Sequence, residues 1–360
     1  MKKKVSVLLM CCLLFSLIGC KTETKIEYNK FSDSFFDTFD TLITVVGYTE
    51  DEEEFNTYFS VIQEGFRRYH QLFDRYNEYE GINNIKTIND NAGISPVKVE
   101  QEIIDLILFS KEWHTRTNSV TNIAFGPVLE IWHDYRTEGI DDPKNAQIPP
   151  MEELQAAVQY TNLNQIIVDT DNSTVFLPDK NMLLDVGAVA KGYATEMVVR
   201  NVSKKGMNSG IISAGGNVRT IGNPPKDKGE YWVIGLQNPD KTLFSDQQHL
   251  DAIFIKEASV VSSGDYQRYY YVGDQLLHHL IDAKTLMPAS YYRAVTVTAK
   301  DSGVADFLST SLFLLPFEES LSLVESIEGA EALWVMPDGE VRTTEGMKKM
   351  LKSHGATNQK

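Results

Sequence analysis

Cysteine is nearly missing from this chain. Of 360 residues only three are cysteine, Cys11, Cys12 and Cys20, all at the N-terminal end. From residue 21 onward there is no thiol to build a disulfide framework, a cysteine metal site or a redox centre. Positive charge is scarce as well: 34 Lys and Arg stand against 50 Asp and Glu, a formal net charge of −16. No basic run follows Lys2-Lys3-Lys4, which argues against a nucleic-acid binder; the acidity is that of a soluble surface. Apolar residues 5–18 form a run shorter than the roughly 20 residues a membrane-spanning helix needs. Internal repeats and low-complexity tracts are lacking. Hydrophobic residues nevertheless make up 42% of the chain, enough for a sizeable core.

What is present begins at the N-terminus. Three lysines, the short apolar run and then Leu17-Ile-Gly-Cys20 resemble a bacterial lipobox, in which cleavage leaves Cys20 as the acylated first residue. An ordinary signal peptide or an N-terminal anchor helix is the alternative. Loss of residues 1–19 would remove three lysines and no acids, moving the net charge from −16 to −19. Residues 21–30 are polar and without periodicity, and read as a tether. The expected organisation is a signal peptide at 1–19, a lipidated Cys20 and tether at 20–33, a folded region at 34–350 and a tail at 351–360. Such a protein would sit on the outer face of the bacterial cell membrane.

Residues 41–48 are a β-branched run that reads as a buried strand. Residues 51–75 follow with Phe55, Phe59, Ile62, Phe66, Tyr69 and Phe73 at helical spacing, and with acids in the first turn. Further helices are expected over 101–115, 151–158, 191–204, 304–315 and 318–325. Strands are expected over 165–169, 174–177, 210–213, 231–237, 252–255 and 267–272, with a closing hairpin at 332–336 and 340–343 turning on Pro337-Asp-Gly339. Short, turn-punctuated strands mixed with helices, without βαβ alternation, argue for an α+β fold with mostly antiparallel pairing.

Two segments carry the chemistry. Asp185-Val-Gly-Ala-Val-Ala-Lys-Gly-Tyr-Ala-Thr-Glu196 puts a carboxylate, small residues and a lysine at the start of a helix. Backbone N–H groups there can approach phosphate oxygens, and Lys191 can add a charge. Taken alone, a junction needing small residues for packing is the plainer reading. Ala305-Asp-Phe-Leu-Ser-Thr310 puts Asp306 and Thr310 four apart, on one helix face. Phe307, Leu308, Leu312 and Phe313 surround them, so the acid wants a cation or a hydrogen-bond partner rather than water. Oxygen ligands of this kind suit Mg²⁺ and a pyrophosphate. His278-His279-Leu-Ile-Asp282 offers a histidine able to take a proton near neutral pH; hydrogen bonding to Asp282 or backbone is the structural alternative. Ala214-Gly-Gly-Asn217 permits a tight turn or a close ligand approach. Ser263-Gly-Asp-Tyr266 precedes Arg268 and the aromatic run 269–271, which reads mainly as core.

In this order these segments resemble one family, the ApbE flavin transferases. The match extends over roughly 36–345 and implies a single α+β domain. It further implies that Asp185 and Lys191 contact FAD, that the Ala188 carbonyl, Asp306 and Thr310 hold Mg²⁺, and that Ile281 lines the flavin pocket. Phe39, in Phe39-Asp-Thr41, stands where relatives carry methionine and would pack on the flavin ring; Tyr76, in Phe73-Asp-Arg-Tyr76, would stack near it. Val120-Thr121-Asn122, ahead of Phe125-Gly-Pro127 and Trp132, aligns with a further cofactor-binding block. The chain departs from the pattern at Asn122 and Asn217 for aspartate, at Ala283 for proline and at Leu286 for glycine. Ser309 stands where some relatives carry a further acid.

The resemblance implies phosphoryl transfer: a threonine hydroxyl of an acceptor protein attacks the FMN-side phosphorus of FAD, and AMP leaves. His279 is the first choice of general base, with Asp306 a second group able to orient the attacking hydroxyl. Such an acceptor would belong to an extracytoplasmic electron-transfer system. Two rivals stand beside this reading. One is an Mg²⁺-dependent FAD pyrophosphatase using water, and the other a lipid-anchored flavin or solute carrier, which has no need of the Asp306–Thr310 pair.

Overall fold

The computed structural model describes residues 28–239 and 249–358. Cys20 and the proposed signal peptide lie outside the described residues. β1 (Asn29–Thr38) and β2 (Thr41–Thr49) form an antiparallel hairpin. The two-residue turn between them, Phe39-Asp40, holds both residues at positive φ, 53° and 48°, the geometry that matches the twist of a tight hairpin. β1 takes in Asn29 to Asp33, which the sequence assigned to the tether. It is an edge strand exposed over most of its length, so its backbone pairs with β2 without an apolar pattern to announce it.

The remaining strands are β3 (Val97–Lys98), β4 (Ile167–Asp169), β5 (Thr174–Phe176), β6 (Ser209–Ala214), β7 (Asn217–Gly222), β8 (Trp232–Gln237) and β9 (His249–Ile255). They continue with β10 (Ser259–Gly264), β11 (Tyr269–Val272), β12 (Gln275–His278), β13 (Ala294–Ala299), β14 (Glu331–Val335) and β15 (Val341–Thr343). The helices are α1 (Glu52–Phe73), α2 (Ile85–Asp90), α3 (Gln101–Arg116), α4 (Gly126–Asp141) and α5 (Met151–Ala157). After these come α6 (Ala190–Lys204), α7 (Ser302–Phe313), α8 (Phe317–Glu325) and α9 (Glu345–Met350).

One eight-stranded sheet, in the order β1-β2-β6-β7-β10-β13-β14-β15, organises the chain, and each neighbouring pair runs antiparallel. Its centre is buried on both faces. Ile212, Val261 and Val295 turn toward α1, α6 and α7. Val260, Ala294, Leu333 and Val335 turn the other way, onto the β8–β9 hairpin and α9. Every residue of β13 is consequently buried. This two-sided burial explains why β7 and β10 carry no alternating signature. The fold is α+β with a mostly antiparallel sheet and flanking helices.

The tail departs from expectation in the same sense as the tether. Leu351 is buried and bridges Ile253. Asn358 accepts from the Glu230 and Tyr231 N–H groups at 3.1 and 2.8 Å and donates to the Tyr231 carbonyl at 2.9 Å. Side-chain capping of backbone, invisible to hydropathy, docks these polar residues. The aromatic run 269–271 also differs: only Tyr270 is buried, while Tyr269 and Tyr271 are exposed on the β11–β12 ribbon.

Candidate active site

A cleft of about 300 Å³ opens where α6 and α7 meet the ends of the central strands. Apart from Cys20, every residue nominated from the sequence lines it: Phe39, Tyr76, Val120, Thr121, Asn122, Asp185, Ala188, Lys191, His279, Ile281, Asp306 and Thr310.

The inner wall is built by the crossing of α6 over α7. Gly192 permits it, since a Cβ there would stand 2.4 Å from both the Asp306 Cβ and the Ser302 carbonyl oxygen. In the space so kept, the Gly192 N–H donates to Asp306 Oδ2 at 2.7 Å. That N–H would otherwise bond to the carbonyl four residues back. Among the described residues no backbone bond reaches the Ala188 carbonyl. Behind this contact Glu196 accepts from Arg219 Nε and from the Ser302 N–H, both at 3.0 Å, tying α6 to the start of α7. Ser309 and Ser311 turn their hydroxyls back onto the Asp306 and Phe307 carbonyls at 3.0 and 2.9 Å. Ser309 also pairs with Ser263, so it is committed to the interior and is no candidate ligand. The Thr310 hydroxyl makes no such bond among the described residues.

These groups form an all-oxygen donor set: a buried carboxylate, a hydroxyl and a backbone carbonyl. Among the described residues no three His, Cys, Asp or Glu side chains gather as a metal cluster. A cation here would therefore draw its remaining ligands from phosphate or water, as Mg²⁺ does. Burial pushes the Asp306 carboxyl above the usual range, opposed by Lys191, the Gly192 N–H and Asn217. Asn217 lies beside the carboxylate, yet its buried Nδ2 finds no partner in hydrogen-bonding geometry. The donor chemistry fits a hard divalent ion. Burial also lowers the Lys191 ammonium, with Asp306 opposing and Arg268 adding. The strand turn beneath is Gly215-Gly216, where Gly215 has φ 60° and closes β6 onto β7.

The two adjacent histidines have different tasks. His278 ends β12 with both nitrogens used, Nε2 against the Ala289 carbonyl at 2.7 Å and Nδ1 accepting the Leu280 N–H at 3.1 Å. His279 places Nδ1 3.3 Å from the Arg268 carbonyl. A carbonyl can only accept, so Nδ1 carries the proton and Nε2 is left with its lone pair. Burial in the cleft, with Arg268, His278 and Arg136 adding, holds the ring well below the ordinary histidine range. Asp282 plays no part in this: its Oδ1 accepts the Lys284 N–H and shapes the turn. That turn places Leu286 at φ 61° where the family carries glycine. Leu286 is held there by burial and by the Trp132 indole N–H, which donates to its carbonyl at 2.9 Å.

The remaining wall is aromatic. Tyr76 is 53% exposed, its ring 5.5 Å from that of His133 and lying against the Arg75 guanidinium. Phe39 packs edge-on to His70. Asp185 faces the cleft but is held by Arg75 at 2.5 Å and by the Gly187 N–H at 2.8 Å. Thr121 shares a buried hydroxyl pair with Ser311, and Asn122 spans from the Thr161 carbonyl to the Ala124 N–H. The donation to Thr161 needs an amide, which accounts for asparagine in place of aspartate.

Sequence reasoning missed the basic side of the cleft: Arg75, His133, Arg136 and Arg268. The available signal was helical spacing, since Trp132, His133 and Arg136 lie within about one turn. It was hidden because no helix was expected over 126–141, whereas Gly126 and Pro127 start α4, with Pro in the first turn.

The profile of the ApbE family matches residues 39–334. A Klebsiella pneumoniae protein named FAD:protein FMN transferase is 30% identical over 284 residues, covering 76% of this chain and 83% of that protein. A Treponema pallidum protein of the same name is 28% identical over 275 residues, 73% of each chain. Among solved structures, an ApbE protein from Thermotoga maritima superposes with a TM-score of 0.76 at 28% identity, covering 90% of this chain and 99% of that one. The Pseudomonas stutzeri flavinyl transferase ApbE reaches 0.74 at 18% identity, a likeness of fold. With a family match spanning most of its length and relatives that share both sequence and architecture, this chain belongs to the ApbE family.

Proposed function

We propose that this protein transfers the FMN moiety of FAD to a threonine hydroxyl of an acceptor protein and releases AMP. The names of its relatives support flavin transfer as the activity. The observation that carries the chemistry is one cleft holding a histidine with a free Nε2 on one side and an oxygen donor set on the other. Asp306, Thr310 and the Ala188 carbonyl would hold Mg²⁺, which when bound neutralises the charge of a pyrophosphate. His279 Nε2 takes the proton of the attacking threonine as its oxygen bonds to the FMN-side phosphorus and the bond to AMP breaks. Tyr76 and Phe39 supply flat surfaces for an isoalloxazine ring. In the free protein burial weakens His279 as a base, and Arg268 and Arg136 weaken it further; an arriving pyrophosphate opposes the field of the two arginines and so raises its basicity.

The test mixes the full-length protein with FAD, Mg²⁺ and an FMN-acceptor domain. Denaturing gels should show flavin fluorescence on the acceptor, a mass gain of FMN less water, and AMP in equal amount. Replacing the acceptor threonine should abolish labelling, and free FMN should fail as donor. Free FMN and AMP without labelling would make the protein a pyrophosphatase; intact bound FAD would make it a carrier. The site on the outer face of the membrane is likewise a proposal, resting on Leu17-Ile-Gly-Cys20. Cys20→Ala should move the protein from the detergent phase to the aqueous phase, and a wild-type protein already aqueous and without acyl mass refutes it.

A further inference from the structure

Two guanidinium groups in the cleft have no carboxylate of their own. Arg136, on α4, is half-buried and hydrogen-bonded to His133 Nδ1 at 2.9 Å. Arg268 stands at the foot of β11, where its carbonyl accepts both the His279 N–H at 3.1 Å and His279 Nδ1. Both side chains line the cleft, and among the described residues neither forms an ion pair. Arg75 is different: its charge is taken up by Asp185 and Glu130. The carboxylate that acts on Arg136 is that same Asp185, already committed to Arg75. In a chain of net charge −16, two converging cations left unpaired are an unsatisfied electrostatic demand.

We infer that Arg136 and Arg268 form a two-guanidinium clamp for the non-bridging oxygens of a pyrophosphate, facing the Lys191–Asp306 wall across the cleft. This rests on the flavin-transfer reading for the identity of the ligand, FAD, but not for its chemistry, a diphosphate ester. Guanidinium suits that task, since its planar donors match phosphate oxygens two at a time. The mutual repulsion of the two groups in the free protein, visible in the lowered pKa of Arg136, which burial starts and Arg268 increases, is relieved when a dianion lies between them. The clamp makes charge a criterion of selection: a flavin without a pyrophosphate meets the aromatic wall alone. Because the Arg268 backbone also holds His279, phosphate and base are registered to each other through one residue.

Affinities of the full-length protein for FAD, ADP and riboflavin, measured by titration in the presence of Mg²⁺, test this. Arg136→Gln and Arg268→Gln should each weaken FAD and ADP by about tenfold or more, leave riboflavin within about twofold and steepen no salt dependence. Arg268→Lys should recover part of the loss, keeping the charge but not the fork. FAD held equally well by wild type and both variants overturns the clamp while leaving the flavin reading intact. Parallel loss of riboflavin also overturns it, since a damaged cleft would then explain the result. A wild-type protein that ignores FAD and riboflavin but binds ADP through both arginines upholds the clamp and sinks the flavin reading.

Discussion

The two walls of the cleft are made in opposite ways. On the inner wall Asp306, Lys191 and Thr310 come from helices packed into the main core, and Gly192, Glu196 and Arg219 fix their geometry from behind. On the outer wall Arg136, Arg268 and His279 come from a peripheral helix and the foot of a two-stranded ribbon, with Arg268 exposed. Inner-wall positions are set by packing, so a change there alters folding and chemistry together. Outer-wall groups are held by a few hydrogen bonds at the edge of solvent, so their chemistry is separable from stability. Helix crossings suit a charge that must not move; a ribbon end suits groups that meet incoming ligands.

His279→Ala sharpens the contrast most. As general base, the ring should account for about 10²- to 10⁴-fold in turnover, with FAD affinity and melting temperature little changed. An equal fall in affinity would place His279 in binding instead. Its lowered pKa also has a signed consequence. Above the unfolded value of about 6.5 the ring is neutral in both states and contributes nothing. As pH falls below that, the unfolded chain takes up the proton first, so the native state loses stability that His279→Ala should retain. The acid limb of kcat/KM should lie below the ordinary histidine range, through burial first and Arg268 and Arg136 after it. That of kcat should lie higher than that of kcat/KM, because bound phosphate opposes the two arginines. Coincident limbs would contradict the proposed coupling of phosphate and base.

Gly192→Ala addresses the inner wall. The added methyl must displace Asp306 or the Ser302 carbonyl, at a cost of about 1–3 kcal/mol in stability, and the Mg²⁺ concentration for half-maximal activity should rise at the same time. Thermal unfolding and metal titration read the two effects. Movement of one without the other would show that this wall does not join folding to chemistry. The smallest effect is expected at Leu286→Gly. Relief of the left-handed backbone returns about 1 kcal/mol, while loss of the buried side chain removes about 2–3 kcal/mol. A net loss of about 1–2 kcal/mol with turnover near normal is expected; a gain in stability would mean that Leu286 packs to no benefit.

How far the sequence could be read follows from the same division. The helices α1, α3, α6, α7 and α8 were legible because each has an apolar stripe at helical period or a cap. The strands β7 and β10 were not, since burial on both faces erases the alternation that marks a strand, and serine and threonine occupy places a core strand usually gives to apolar residues. β1 and the tail through Asn358 escaped for the opposite reason: they are polar and are held by backbone pairing and side-chain caps. On the inner wall the spacing of Asp306 and Thr310 put both on one helix face, because a helix converts four residues into one face; the role expected of them came from the resemblance to the family.

By itself, then, the sequence determined the residue types that can do chemistry, their order, the family to which they belong, and the absence of thiol chemistry after Cys20. Tertiary structure alone decided which of two neighbouring histidines is free, because that depends on which carbonyl each ring meets. It also decided that Asp306 draws the Gly192 N–H away from the Ala188 carbonyl, and that Arg136 and Arg268, 132 positions apart in the numbering, converge without a counter-charge. Each of these is a relation between atoms distant along the chain. Local pattern encodes what a residue can do; only the packing of one element on another sets what it has left to do it with.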